Sequence, residues 1–213
     1  MVTFANMLEG YQRFRATGWA NQRARWDELA DGQSPRVMVI ACSDSRVEPA
    51  QIFDTNPGEI FVVRNVAALV PPFETNPGRH GVSAAVEFAV QVLGVEEIVV
   101  MGHGLCGGCK AALTQEMQDA PLGAGGFIAS WISMLDDARS KVVAEHGADQ
   151  GRVAARAMEQ EAVKVSLANL RTFPWIREKE ASNVLSLKGA FFAISDGVLH
   201  ILDEQTGMFR AYG

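Results

Sequence analysis

Three short apolar runs constrain this chain more than anything else in it. RVMVIAC (36–42), EIFVVRN (59–65) and EEIVVMGH (96–103) are rich in β-branched residues and show little polar alternation. A strand with one wet face alternates apolar and polar positions, whereas a strand covered on both faces need not, and that is the habit of parallel sheets. Between the second and third runs, Val82, Ala85, Val86, Ala89, Val92 and Leu93 recur at steps of three and four, which predicts a helix with one buried face. Strands alternating with helices imply an α/β fold, a central mostly parallel sheet flanked by helices.

At 213 residues and 48% hydrophobic content, the chain can build one sizeable core, so a single domain over 1–213 is expected. Within it, Phe4, Met7, Leu8, Tyr11 and Phe14 sit at helical spacing, followed by Trp19 and Trp26. Residues 1–30 therefore read as an amphipathic helical arm, and the stripe alone leaves open whether it covers its own core or a second subunit. After the break APLGAGG (120–126), residues 127–145 and 152–170 are predicted to be two helices, both at the surface, the second ended by Pro174. A strand, a turn at Asp196-Gly197 and two further extended pieces should close the chain.

The net charge of −6 and pI near 5.3, with no run of Lys or Arg, exclude a protein that tracks nucleic-acid phosphates. No apolar run approaches the roughly 20 residues of a spanning helix, and MVTFANMLEG lacks a basic segment followed by an apolar one. A cytoplasmic protein that touches neither nucleic acid nor membrane is expected. Three cysteines do not make a disulfide framework, so reduced thiols or metal chemistry fit better.

Cys42 follows the first run, His103 the third, and Cys106 lies three residues on in GHGLCGGC. In open parallel sheets ligands bind outside the carboxyl ends of the strands. Two thiolates and an imidazole meeting there make a zinc set with a fourth position free for water. The competing reading takes Cys106 and Cys109 as a CxxC redox or structural zinc pair; Cys109, where a helix should begin, reads as a small packed residue.

The stretches ACSDSRVEP, PGEIFVVRNVAALVPPF, GVSAAVEFAV and GHGLCGGCKAAL, in this order, resemble the β-class carbonic anhydrases from about residue 30 to the C-terminus. SLANLRTFPWI and DGVLHILDEQTGMFRAYG resemble the family's later helix and last strand. The resemblance implies a zinc enzyme, one metal per chain held by Cys42, His103 and Cys106, in which metal-bound hydroxide attacks CO2 to give bicarbonate and a proton. It implies a dyad in which Arg46 holds the Asp44 carboxylate off the metal, a role suited to the fixed fork of a guanidinium. Gln33 aligns with an amide directed at substrate oxygen, and Phe61, Val66 and Phe88 with an apolar wall beside the metal, Phe88 standing where plant members have Tyr. A second subgroup carries Trp three residues before the first Cys and Gly immediately before it; Val39 and Ala41 here imply the plant-like, open zinc site. The family also implies a homodimer or larger assembly, with the helical arm packed on a partner subunit and the cleft at the interface. His80 is the nearest proton-shuttle candidate by motif position. Two alternatives remain: a carbonyl sulfide or carbon disulfide hydrolase on the same fold, and a noncatalytic zinc or redox-sensing module.

Overall fold

The computed structural model describes residues 1–147 and 151–213. The chain divides into two compact units, Met1–Ser34 and Pro35–Gly213.

The first unit is helical. Helix α1 (Phe4–Phe14) begins at a capping box, in which Thr3 Oγ1 accepts from the Asn6 amide while Asn6 Oδ1 accepts from the Thr3 amide at 3.0 Å, so two orphan donors are satisfied. A π-helical turn, Arg15–Trp19, leads to α2 (Arg23–Asp31). Phe14 meets Trp26 edge to face at 5.9 Å. No residue of 1–34 is buried, and Phe4, Met7 and Tyr11 expose 73, 62 and 57% of their surface. The apolar stripe is thus left without a core of its own.

The second unit carries a six-stranded sheet: β1 (Val37–Cys42), β2 (Ile60–Asn65), β3 (Glu97–His103), β4 (Ser186–Ala193), β5 (Val198–Asp203) and β6 (Met208–Ala211). Their order is β2-β1-β3-β4-β5-β6. The first four are parallel and the last two antiparallel. The chain leaves β1 toward one edge to make β2, then returns to the other side of β1 to make β3. Loops leaving β1 and β3 therefore diverge, and a crevice opens at their carboxyl ends. The helices are α3 (Pro49–Ile52), α4 (Gly81–Glu87, prolonged by a π-helical stretch, Phe88–Leu93), α5 (Gly107–Thr114), α6 (Gly126–Ile132), α7 (Asp136–His146), α8 (Arg152–Leu170) and α9 (Pro174–Ala181). None of them is long and apolar enough to cross a membrane.

Alternation along the strands sorts the core. Met38, Ile40, Ile98, Val100 and Leu187 pack under Val86, Val90, Val163, Leu167 and Leu170, while Val39, Ala41, Met101 and Ala190 form a smaller cluster on the other face. Helix α8 is the main cover, and it corrects the expectation of a surface element: Met158, Ala162, Val163, Ser166, Leu167 and Leu170 are all buried. Each large apolar side chain removed from water there contributes about 1.5–3 kcal/mol. Its charged residues masked the stripe in the sequence. The other predicted helix is broken, since a 3-10 turn at Ser133–Leu135 separates α6 from α7. Pro174 does not stop α8, which ends at Leu170; it starts α9 at the first position, where its missing N–H is not needed.

Candidate metal centre

Cys42 is the last residue of β1, His103 the last of β3, and Cys106 the N-cap of α5. The switch in strand order brings them together: their ligand atoms all lie within 4.8 Å of one another, and all three residues are buried. His103 Nδ1 lies 2.9 Å from the carbonyl oxygen of Gly104. A carbonyl can only accept, so Nδ1 carries the proton and the Nε2 lone pair is left free. Nε2 is buried and has no hydrogen-bond partner, an omission worth about 1–3 kcal/mol if nothing fills it. Contact with Cys106, then burial, push the Cys42 thiol up to about 12. Neighbouring Cys109, against a pull from Cys42, and then burial push Cys106 up to about 12 as well. Two crowded thiols and one orphaned imidazole nitrogen fit a soft divalent cation, which deprotonates its thiol ligands and takes the nitrogen lone pair. Zinc suits this donor set, and three protein ligands leave its fourth position open. Cys109 is buried among apolar neighbours and, among the described residues, stands outside the ligand group.

The turn after β1 delivers the dyad. Asp44 Oδ1 accepts from the Arg46 amide at 3.0 Å and from Nε at 2.9 Å, and Oδ2 accepts from Nη2 at 2.7 Å. The guanidinium holds the Asp44 carboxyl well below the usual carboxylate range. Asp44 Oδ2 lies 4.0 Å from His103 Nε2, so the carboxylate borders the ligand set while its lone pairs are turned to Arg46. Arg46 Nη2 also donates to the Leu105 carbonyl at 3.1 Å, tying the dyad to the turn between the two ligands of GHGLC.

Arg64 completes the loop, and its place was not read from the sequence. Its Nε donates to the Cys42 carbonyl at 2.9 Å and Nη2 to that of Asp44 at 2.7 Å, while Nη1 pairs with Glu48. The only trace was a charged residue near the end of an otherwise apolar strand, paired with Ala41. Beyond β2, Ala67 and Ala68 adopt left-handed φ of 64° and 55°, a strained pair for residues with a Cβ. Asn65 braces them by donating to the Leu69 carbonyl and accepting from its amide, both at 2.8 Å, and Trp131 Nε1 donates to the Val66 carbonyl at 2.8 Å.

The other expected residues are dispersed. Val66 follows Asn65, which pairs with Cys42, and a Cβ on Gly108 of α5 would lie 2.7 Å from its Cγ1; it sits at the metal end. Phe61 and Phe88 share a ring contact at 6.0 Å, but Phe61 pairs with Met38, four positions before Cys42. At about 3.3 Å per residue that is roughly 13 Å down the strand. Within one chain the aromatic pair does not line the metal end. Gln33 is exposed in the first unit. His80 contacts Asn76 and Glu74.

A family model for carbonic anhydrase matches residues 37–199. The Arabidopsis thaliana protein named Beta carbonic anhydrase 3 is 35% identical over 199 residues, 92% of this chain and 76% of that one. The chain belongs to the β-class carbonic anhydrases. These enzymes are lyases, and the match covers every strand-end residue of the metal centre. Among solved structures, the β-carbonic anhydrase CcaA superposes with a TM-score of 0.91 at 30% identity, covering 98% of this chain and 99% of that one. A tetrameric β-carbonic anhydrase from the ascomycete Sordaria macrospora gives 0.81 at 31%, covering 94% and 96%.

Proposed function

We propose that this β-class carbonic anhydrase interconverts CO2 and bicarbonate at one zinc per chain held by Cys42, His103 and Cys106, in the open, plant-like form. The observation that carries this reading is the buried, partnerless Nε2 of His103, facing two thiols beside a carboxylate already engaged by arginine. Zinc bound there acidifies water from about 15.7 toward about 7, supplying a nucleophile near neutral pH.

The chain's own residues do the rest. Arg46 keeps Asp44 ionised and turned from the metal, so that the carboxylate accepts a hydrogen bond from the nucleophile and orients it without becoming a fourth ligand. Gln33, exposed on the helical unit, donates an amide N–H to a substrate oxygen across the interface between copies. Val66 lines the apolar side of the pocket. Phe61 and Phe88, distant from the metal of their own chain, act in the pocket of a second copy, and the exposed stripe on α1 packs on that copy as well. The active unit is then a homodimer or a larger assembly in the cytoplasm.

The experiment is stopped-flow CO2 hydration between about pH 6.5 and 9, on reduced protein of assayed zinc content. Fast turnover that rises with pH supports the reading. One zinc per chain without CO2 turnover would overturn it, and hydrolysis of carbonyl sulfide or carbon disulfide by the same sample would then name the substrate.

A further inference from the structure

We propose that Glu159 is a positioning residue for the metal centre: from α8 it holds the Leu105-Cys106 turn in the conformation that presents Cys106 to the metal and the Leu105 carbonyl to Arg46. This inference rests on the metal reading above.

Glu159 is 5% exposed, in the middle of a helix whose inner face is apolar apart from it and Ser166. A buried carboxylate is costly unless hydrogen-bonded, and this one is spent on a main-chain donor at the metal centre. Oε1 accepts from the Cys106 amide at 3.1 Å; burial raises the carboxyl's pKa, and the nearby Leu105 amide lowers it against that rise. Helix α5, which Cys106 caps, has no side-chain cap of its own.

The turn needs holding. Leu105 has φ +59°, a left-handed conformation that strains a residue with a Cβ. Its carbonyl is anchored by Arg46 Nη2, and the amide that follows, that of Cys106, by Glu159. The carboxylate on α8 and the guanidinium of the dyad thus grip the N–H and the C=O of one peptide group, the one that joins the strained residue to Cys106. Gly102 lets α8 come close enough, since a Cβ there would lie 2.6 Å from Val163 Cγ2 and 3.4 Å from the Glu159 carbonyl oxygen. Behind Glu159 a cavity of about 460 Å³, lined in part by Leu105, Arg152, Arg156 and Gln160, gives the turn room to relax when the anchor is lost.

The test uses the full-length, zinc-loaded protein and the variants Glu159→Gln, Glu159→Ala and, as a control on the same cavity, Gln160→Ala. Gln is isosteric but uncharged and replaces one acceptor oxygen with a donor, so it holds the Cys106 amide more weakly than a carboxylate does. Zinc affinity is read by chelator competition, ligand geometry by the visible spectrum of the cobalt-substituted protein, and kcat and KM separately. Both Glu159 variants should bind zinc about 10–100-fold more weakly and shift the cobalt bands. They should lose kcat with little change in KM, while keeping the wild-type circular dichroism and assembly. Gln160→Ala should match wild type. Adding Leu105→Gly to Glu159→Gln should recover part of the zinc affinity, because glycine holds φ > 0 without strain. Folded Glu159 variants with wild-type zinc affinity and cobalt spectrum would overturn the proposal, as would loss of fold in Glu159→Gln, which would make the carboxylate a general requirement of the core. Failure of the wild-type protein itself to bind zinc would instead overturn the metal reading, and this inference with it.

Discussion

Replacing Gly102 by alanine tests whether the spacing of sheet and helix sets the metal centre. Gly102 pairs with Phe191 on β4 and immediately precedes His103. Its added methyl would lie 2.6 Å from Val163 Cγ2, against an optimum of about 3.5–4.0 Å between carbons, so something must move by about 1 Å. Neither side yields easily. Val163 is 1% exposed, and α8 is pinned by Ser166, whose hydroxyl donates to the Ala68 carbonyl at 3.0 Å and accepts from the Val70 amide at 3.2 Å. Overpacking of this kind costs about 1–3 kcal/mol, or roughly 2–4 °C of Tm per kcal/mol for a chain of this size. Val163→Ala alone removes two buried methyl groups at about 0.8 kcal/mol each and leaves a small cavity, some 2 kcal/mol in all. In the double variant the new methyl enters the space vacated, so the pair should cost about 1–3 kcal/mol less than the sum of the singles. Urea unfolding of the four proteins at one protein concentration, with zinc content assayed in parallel, measures that coupling. Zinc lost from Gly102→Ala should return in the double variant. Additivity within about 0.5 kcal/mol would refute the claim that this contact sets the distance between α8 and β3.

Cys106→Ala should lose both zinc and turnover, read by metal analysis beside the stopped-flow assay. Asp44→Asn should keep zinc and lose most turnover; full activity in that variant would mean that the carboxylate has no part in the reaction. Arg46 depresses the Asp44 pKa in the folded protein, so its stabilising contribution is complete above the unfolded value near 3.9 and is lost as pH falls through the lower folded one. The Tm difference between wild type and Asp44→Asn should therefore stay constant from about pH 5 to 9 and shrink only below about pH 4, as thermal unfolding across that range would show.

Pattern reading reached the sheet because strands buried on both faces carry their own signature, as VMVIAC and EIVVMGH do. It failed on α8, where Arg152, Arg156, Glu159 and Lys164 suggest a wet helix. The error is physical: Glu159 is tolerated inside because the Cys106 amide donates to it, and a sequence does not display which amides will be near. Arg64 was missed for the same reason, since its acceptors are main-chain carbonyls of a different segment. The Asp44–Arg46 pair was legible through the family resemblance, and the structure makes it with a two-oxygen grip between residues only two apart.

By itself, the sequence determined the donor chemistry: two thiols, one imidazole and a carboxylate with its arginine, placed at strand ends by local hydrophobic pattern. Tertiary structure alone decided three things. Strand order β2-β1-β3 brought Cys42 and His103, 61 positions apart in the chain, to one crevice. The approach of α8 across Gly102 supplied the carboxylate under Cys106. Strand register set Phe61, and with it the ring of Phe88 that it touches, away from the three ligand residues of their own chain. Residue types are local properties of a chain, whereas register and the approach of a helix to a sheet follow from packing the whole core, and no short window of sequence contains them.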